Sequence, residues 1–261
     1  MSLSFPEEAN EADFSFSDLG CDFEDSEIQS QVAREQCPHC ERPKRVCWCP
    51  HVPQPPLEIA SRILILQHPN ERKRNIRTAL MAARGVAYGR CAIYPGRRFP
   101  GKHAPLHELL ASPKTYLLYP GKHAVPMGSL KGGEGPFNFV ILDGTWEEAR
   151  KLYARNPALQ ALRQVSLEVD AVSAYVVRTQ PADYCLSTVE TVAATLAAVE
   201  GWSGEAWERL VRPLHAMCNV QINHGAVGHD SKEYKEQNSQ FNKANNWKRK
   251  AKGIVGASDV S

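Results

Sequence analysis

The stretch PFNFVILDGTWEEAR, residues 136–150, decides how this chain folds. Phe137 to Leu142 is a short, nearly continuous apolar run, suited to a strand buried on both faces. Thr145 to Arg155 is patterned as a helix, and Thr145 followed three residues later by Glu148 has the form of a capping box. Asp143 and Gly144 fill the junction. With Thr145 as the N-cap, the helix does not need Asp143. The carboxylate then sits before the partially positive helix end, where it can accept hydrogen bonds or act as a base. An Asp that merely bonds its own turn is an equally good local reading.

The same strand-then-helix pattern repeats on either side. Arg62 to Gln67 is a second run of the doubly buried kind, and residues 75–84 suit a helix. Cys91 to Tyr94, Tyr116 to Tyr119, Gln164 to Val169 and Ala174 to Arg178 read as strands. Two closing helices are expected at about 188–200 and 204–219, with Pro213 as a kink. This alternation predicts an α/β domain with a largely parallel sheet. Ligands in such sheets sit beyond the carboxyl ends of the strands, which singles out Gln67-His68-Pro69, Tyr119-Pro120-Gly121 and Asp143-Gly144-Thr145. Ser187 and Glu190 repeat the capping-box spacing, and a helix start of that kind also receives carboxylates and phosphates. His103 and His107 are four apart, but Pro105 between them argues against a helical metal pair.

The ends of the chain differ from its middle. Residues 1–36 hold ten acids and one base, Arg34, a net −9 that leaves +11 on the rest of a chain whose total is +2. We expect a disordered acidic arm there, and a basic body suited to a polyanion such as RNA. From Asp230 to Lys252 seven Lys/Arg outnumber three acids, so 229–261 reads as a polar, basic tail. No apolar run approaches the roughly 18 residues that a membrane span needs, and no leader is visible. The expected setting is intracellular, cytoplasm or nucleus, where thiols stay reduced.

Reduced thiols make metal ligands of Cys37, Cys40, Cys47 and Cys49, spaced C-x2-C-x6-C-x-C within thirteen residues. Four thiolates leave a zinc ion no open position, so the role is structural. Residues 37–56 are therefore a zinc knuckle with a Pro-rich connector, and 57–228 the main domain. Neither G-x-G-x-x-G at a strand–helix junction nor a GK[ST] phosphate loop is present.

Taken in order, these blocks resemble the DTW-domain family of tRNA-uridine aminocarboxypropyltransferases, and most of all its eukaryotic branch. The resemblance runs over roughly residues 37–235. It is carried by the cysteine pairs, Gln67-His68-Pro69-x-Glu71, Gly96-Arg97-Arg98-Phe99, Leu118-Tyr119-Pro120-Gly121 and Asp143-Gly144-Thr145-Trp146. Arg178-x-Gln180-Pro181, Cys185 to Glu190, Arg212-Pro213-Leu214, His224-Gly225-Ala226 and Ser231-Lys232-Glu233 continue it. Thr191 and Asp230 depart from the family pattern.

The resemblance implies a knotted, SPOUT-like sheet domain. It also implies transfer of the 3-amino-3-carboxypropyl group of S-adenosylmethionine to N3 of a tRNA uridine, in the D-loop by branch, with release of methylthioadenosine. It makes Asp143, Thr145 and Trp146 catalytic. It assigns Gln67, His68, Leu118, Tyr119, Pro120, Gly121, Gly144, Leu186, Ser187, Thr188 and Glu190 to the cofactor. RNA contacts are then expected from Arg72, Lys73, Arg74, Arg97, Arg98 and the basic tail. A SPOUT-like RNA methyltransferase is the competing enzyme reading, and a zinc-knuckle RNA-binding protein without activity is the competing non-enzyme.

Overall fold

The computed structural model describes residues 35–74, 76–130, 135–167, 173–175, 177 and 185–227. Residues 1–34 of the expected acidic arm, residues 131–134 and the basic tail lie outside them. Six strands form one sheet: β1 (Arg62–Gln67), β2 (Cys91–Pro95), β3 (Thr115–Leu118), β4 (Val125–Pro126), β5 (Asn138–Asp143) and β6 (Arg163–Ser166). Every pairing is parallel, in the order β2-β1-β5-β3-β6-β4. Among the described residues the helices are α1 (Thr78–Gly85), α2 (Ala104–Ala111), α3 (Trp146–Ala154), the single turn α4 (Pro157–Gln160), α5 (Thr188–Glu200) and α6 (Gly204–Asn223).

Side chains on a strand alternate between faces, so β1 feeds two cores at once. Ile63 and Ile65 pack with α1, α5 and α6, together with Phe139 and Ile141 of β5. Leu64 and Leu66 join Leu106, Leu110, Leu152 and Leu159 from α2, α3 and α4 on the opposite face. Covering both faces explains why β1 and β5 carry apolar residues without alternation. The Cys37–Cys49 segment belongs to the first of these cores: Cys37, Cys40 and Trp48 are buried in it.

Three local expectations change. Residues 174 and 175 form no strand, because the carboxylate of Glu190 takes the Ala174 amide at 2.7 Å and Ser173 Oγ takes that of Tyr175 at 3.2 Å, before either can join a ladder. Residues 176 and 178 to 184 lie outside the described residues. Pro105 does not break a helix but opens α2, since the first turn needs no amide donor. His103 and His107 bond separately to the carbonyls of Pro95 and Gly101, so they make no metal pair. Finally, α6 contains Pro213 and ends at Asn223 rather than near residue 219. No helix among the described residues is long and apolar enough to cross a membrane.

Strand order fixes where a ligand can sit. After β1 the chain moves outward to β2, and after β5 it moves the opposite way to β6. The crevice between the carboxyl ends of β1 and β5 is therefore a switch point of the sheet.

Candidate active site and thiol cluster

The two residues that end β1 and β5, Gln67 and Asp143, face each other in register. Gln67 Nε2 donates to Asp143 Oδ2 at 2.9 Å, and Thr188 Oγ1 donates to Asp143 Oδ1 at 2.5 Å. Asp143 is only 7% exposed, and its carbonyl also accepts the His68 amide at 2.8 Å. One carboxylate thus ties the ends of two strands to the first residue of α5. A carboxylate has about four lone-pair sites, so two bonds leave capacity for a ligand's donor.

Behind Asp143, α3 starts as its sequence implies. Thr145 Oγ1 accepts the Glu148 amide at 3.2 Å, while the Glu148 carboxylate takes the Thr145 amide at 2.8 Å. Glu148 does more than cap. Oε1 accepts from Asn70 Nδ2 at 2.8 Å and lies 3.2 Å from His68 Nδ1, and Oε2 meets Arg74 at 3.4 Å. Burial pushes the Glu148 carboxyl up, but the Thr145 amide, Asn70, the Thr145 hydroxyl and His68 together outweigh it and hold the group below its ordinary range. Gly144 is needed at this crossing: a Cβ there would lie 3.1 Å from Glu148 Cβ and 3.4 Å from His68 Cβ.

In front of α3 opens a cleft of about 430 Å³, lined among others by His68, Thr145, Glu148, Arg97, Lys151 and Arg155. Buried Asn156, next to Arg155, ties two of its lining segments together. Its Oδ1 accepts the Phe99 amide at 2.7 Å, and its Nδ2 donates to the carbonyls of Leu152 at 2.6 Å and Arg97 at 3.1 Å. This pins the Gly96–Phe99 loop to the end of α3. Trp146, first residue of α3, is 50% exposed.

The other nominated segments reach the same edge of the sheet by different means. Leu118 pairs with Val165, and Tyr119 stacks on Tyr153 with ring centres 4.4 Å apart. Gln164 donates to the Tyr153 hydroxyl at 2.7 Å, and a Cβ on Gly121 would run into the Gln164 side chain. Pro120 is exposed between them. At α5, Glu190 is engaged inside the fold. Its carboxylate takes the Ser187 amide at 2.8 Å, Ser187 Oγ at 2.6 Å, Ser173 Oγ at 2.9 Å and the Ala174 amide at 2.7 Å. Of that turn it is Thr188 that bonds Asp143, and Leu186 nearby is half-buried.

The four cysteine sulfurs all lie within 4.8 Å of one another, with Cys37–Cys49 at 3.8 Å and Cys40–Cys47 at 3.6 Å. Four sulfurs about 2.3 Å from a tetrahedral zinc ion would be roughly 3.8 Å apart, so the donor set fits the ion in both chemistry and spacing. The amides of Cys40 and His39 pull the Cys37 thiol down to about 6, whereas burial pushes Cys47 and Cys49 up. Thiols this close cannot all ionise without a cation between them.

Comparison with known proteins adds that the DTW domain family matches residues 34–222. The chain belongs to the DTW-domain family. It is 48% identical over 212 residues to the tRNA-uridine aminocarboxypropyltransferase 2 of Drosophila melanogaster, covering 80% of this chain and 84% of the relative. It is 36% identical to the mouse protein of the same name, covering 83% and 73%. A tRNA-uridine aminocarboxypropyltransferase A of Arabidopsis thaliana is 23% identical, over 76% and 84%. No solved structure matches.

Within this DTW domain, the fold brings Gln67, His68, Asp143 and Thr188 into one hydrogen-bonded set, with Thr145 joined to His68 through Glu148 and Gly144 packed against both His68 and Glu148. Sequence reasoning missed Asn70, Asn156 and the second role of Glu148. Arg74, expected to meet RNA, bridges Glu71 at 2.9 Å and Glu148 at 3.4 Å.

Proposed function

We propose that this protein is a tRNA-uridine aminocarboxypropyltransferase using S-adenosylmethionine. The observation that carries the reading is 48% identity over 212 residues to a relative bearing that activity as its name. The substrate is a tRNA uridine, in the D-loop by resemblance of branch, and methylthioadenosine leaves. The order β2-β1-β5-β3-β6 supports a SPOUT-like knotted domain, whose strand-end loops wrap the co-substrate.

In this reading the crevice between β1 and β5 holds S-adenosylmethionine. The lone pairs left on Asp143 accept its ammonium group, and the negative charge lies where the sulfonium is stabilised. Leu118 to Gly121 and the start of α5 wall the same pocket, with Glu190 shaping the turn rather than touching the ligand. Trp146 offers an exposed ring on which the uracil stacks. Arg97, Lys151 and Arg155 hold RNA phosphates. Cys37, Cys40, Cys47 and Cys49 hold a structural zinc that closes the knuckle. The setting is intracellular, where tRNA and reduced thiols coexist.

A methyltransferase would use the same co-substrate and break a different bond. Incubating tRNA with S-adenosylmethionine labelled on either the carboxyl or the methyl carbon separates the readings. Carboxyl label in RNA is the expected result. Methyl label instead means a methyltransferase, and tRNA binding without either label means a non-catalytic binder.

A further inference from the structure

The uridine N3–H is a weak acid, so its attack on carbon needs a group to receive the proton. Asp143 is poorly placed to serve. Its oxygens accept from Gln67 and Thr188, and the lone pairs left over are the ones assigned above to the co-substrate's ammonium group. The next residue after Gln67 has the opposite character. His68 is buried to within 8% of full cover, yet it lines the cleft that carries Arg97, Lys151 and Arg155.

Two groups meet His68 Nδ1: Glu148 Oε1 at 3.2 Å and the Asn70 amide at 3.4 Å. They ask for opposite protonation of that nitrogen. The carboxylate decides it, being nearer and charged, because a bare Nδ1 would set two acceptors against each other. Nδ1 therefore carries the hydrogen, and the lone pair lies on Nε2. Nε2 has no hydrogen-bond partner among the described residues, and it is not sealed off from solvent. Glu148 is itself fixed by Thr145, Asn70 and Arg74, so the imidazole is held from behind by a rigid carboxylate. An orienting acid and a cleft-lining imidazole whose second ring nitrogen is unbonded among the described residues form a general-base arrangement.

We infer that His68, oriented by Glu148, is the base that takes the N3 proton of the target uridine, and that the uridine enters through the cleft lined by Arg97, Lys151 and Arg155. The inference rests on the transferase reading and assigns His68 to the RNA side of the reaction rather than to the co-substrate. His68 Nε2 accepts the N3 proton. The N3 electron pair forms a bond to the terminal carbon of the aminocarboxypropyl chain. The carbon–sulfur bond breaks, its electron pair returns to sulfur, and neutral methylthioadenosine departs. The imidazolium then releases its proton to water. Atoms and charge balance without an oxidant or a metal.

The test uses the full chain, S-adenosylmethionine with a labelled carboxyl carbon, and unmodified tRNA. Carboxyl label transferred by the unsubstituted protein establishes the transferase reading independently, and its absence sinks that reading and this one together. Given transfer, His68→Ala lowers kcat by about 10²- to 10⁴-fold while the Kd values for tRNA and S-adenosylmethionine stay within about threefold. Added imidazole restores turnover to that variant. His68→Asn keeps a side-chain N–H that can donate to Glu148 and serves if the alanine variant does not fold; it shows the same loss of kcat. Glu148→Gln, which removes the negative charge behind Nδ1, lowers kcat at unchanged KM. A His68 variant with kcat within about threefold of the unsubstituted enzyme overturns the assignment. So does a loss that appears wholly as weaker S-adenosylmethionine binding, which would make His68 a clamp.

Discussion

Asp143→Ala and Asp143→Asn separate the fold from the chemistry at the strand-end carboxylate. Alanine strands Gln67 Nε2 and Thr188 Oγ1, which lose acceptors at 2.9 and 2.5 Å. Bonds to a charged acceptor contribute about 1.5–3 kcal/mol each. Gln67 is buried, but Thr188 is half-buried and water can replace part of its bond. The sum therefore falls near the lower end, about 3 kcal/mol. In a chain of this size that corresponds to a drop in Tm of about 6–12 °C. Asparagine behaves differently. Its oxygen can face Gln67 while its amide donates to a Thr188 hydroxyl that rotates to accept, so both contacts survive and the expected cost is about 1 kcal/mol or less. What asparagine removes is the charge opposite the sulfonium, and carboxyl-label transfer should fall by at least about 100-fold. Thermal melts of both variants, followed by transfer assays on the asparagine protein, test the two halves separately. An alanine variant that melts with the unsubstituted protein would refute the tie between β1, β5 and α5. An asparagine variant that modifies tRNA at the normal rate would refute the electrostatic role.

Three further outcomes follow from the same geometry. Cys47→Ser should lower bound zinc from one ion per chain and lower Tm, because the cluster is continuous with buried Trp48; equal zinc content by metal analysis would contradict the four-sulfur site. Trp146→Ala should raise KM for tRNA by roughly 5- to 150-fold, from the about 1–3 kcal/mol of a base stacked on an aromatic ring, and an unchanged KM removes the stacking role. The depressed Glu148 carboxyl stabilises the fold above the ordinary carboxylate range, and this contribution is lost as pH falls through its lowered folded value. The stability gap between the unsubstituted protein and Glu148→Gln, measured by denaturant titration, should thus be full near neutral pH and shrink in acid; a gap that stays constant down to pH about 3 contradicts it.

What the sequence revealed is what local chemistry encodes. β1 and β5 were legible because strands covered on both faces need apolar residues at every position, and the starts of α3 and α5 were legible from their Thr/Ser and Glu spacing. The second role of Glu148 was not, since Asn70 and Arg74 lie 78 and 74 residues away and meet it only when β1 and β5 are neighbours. The same non-locality hid the missing strand at 174–175, whose amide is taken by Glu190 16 residues later. α2 was overlooked because Pro105 was weighed as a breaker when its place in the first turn makes it a starter.

The position of β5 in the sheet has a consequence for how the protein is made. On the ribosome, β1 and β2 emerge early and can pair at once, but β3 has no partner until β5 arrives, since β5 lies between it and β1. Until Asp143 has been synthesised the nascent chain carries two open strand edges that nothing closes. The last residue of that inserted strand is also the one that anchors α5. Completion of the sheet therefore comes before assembly of the site, and a truncated chain ending before residue 188 contains all six strands without the bonded set at Asp143.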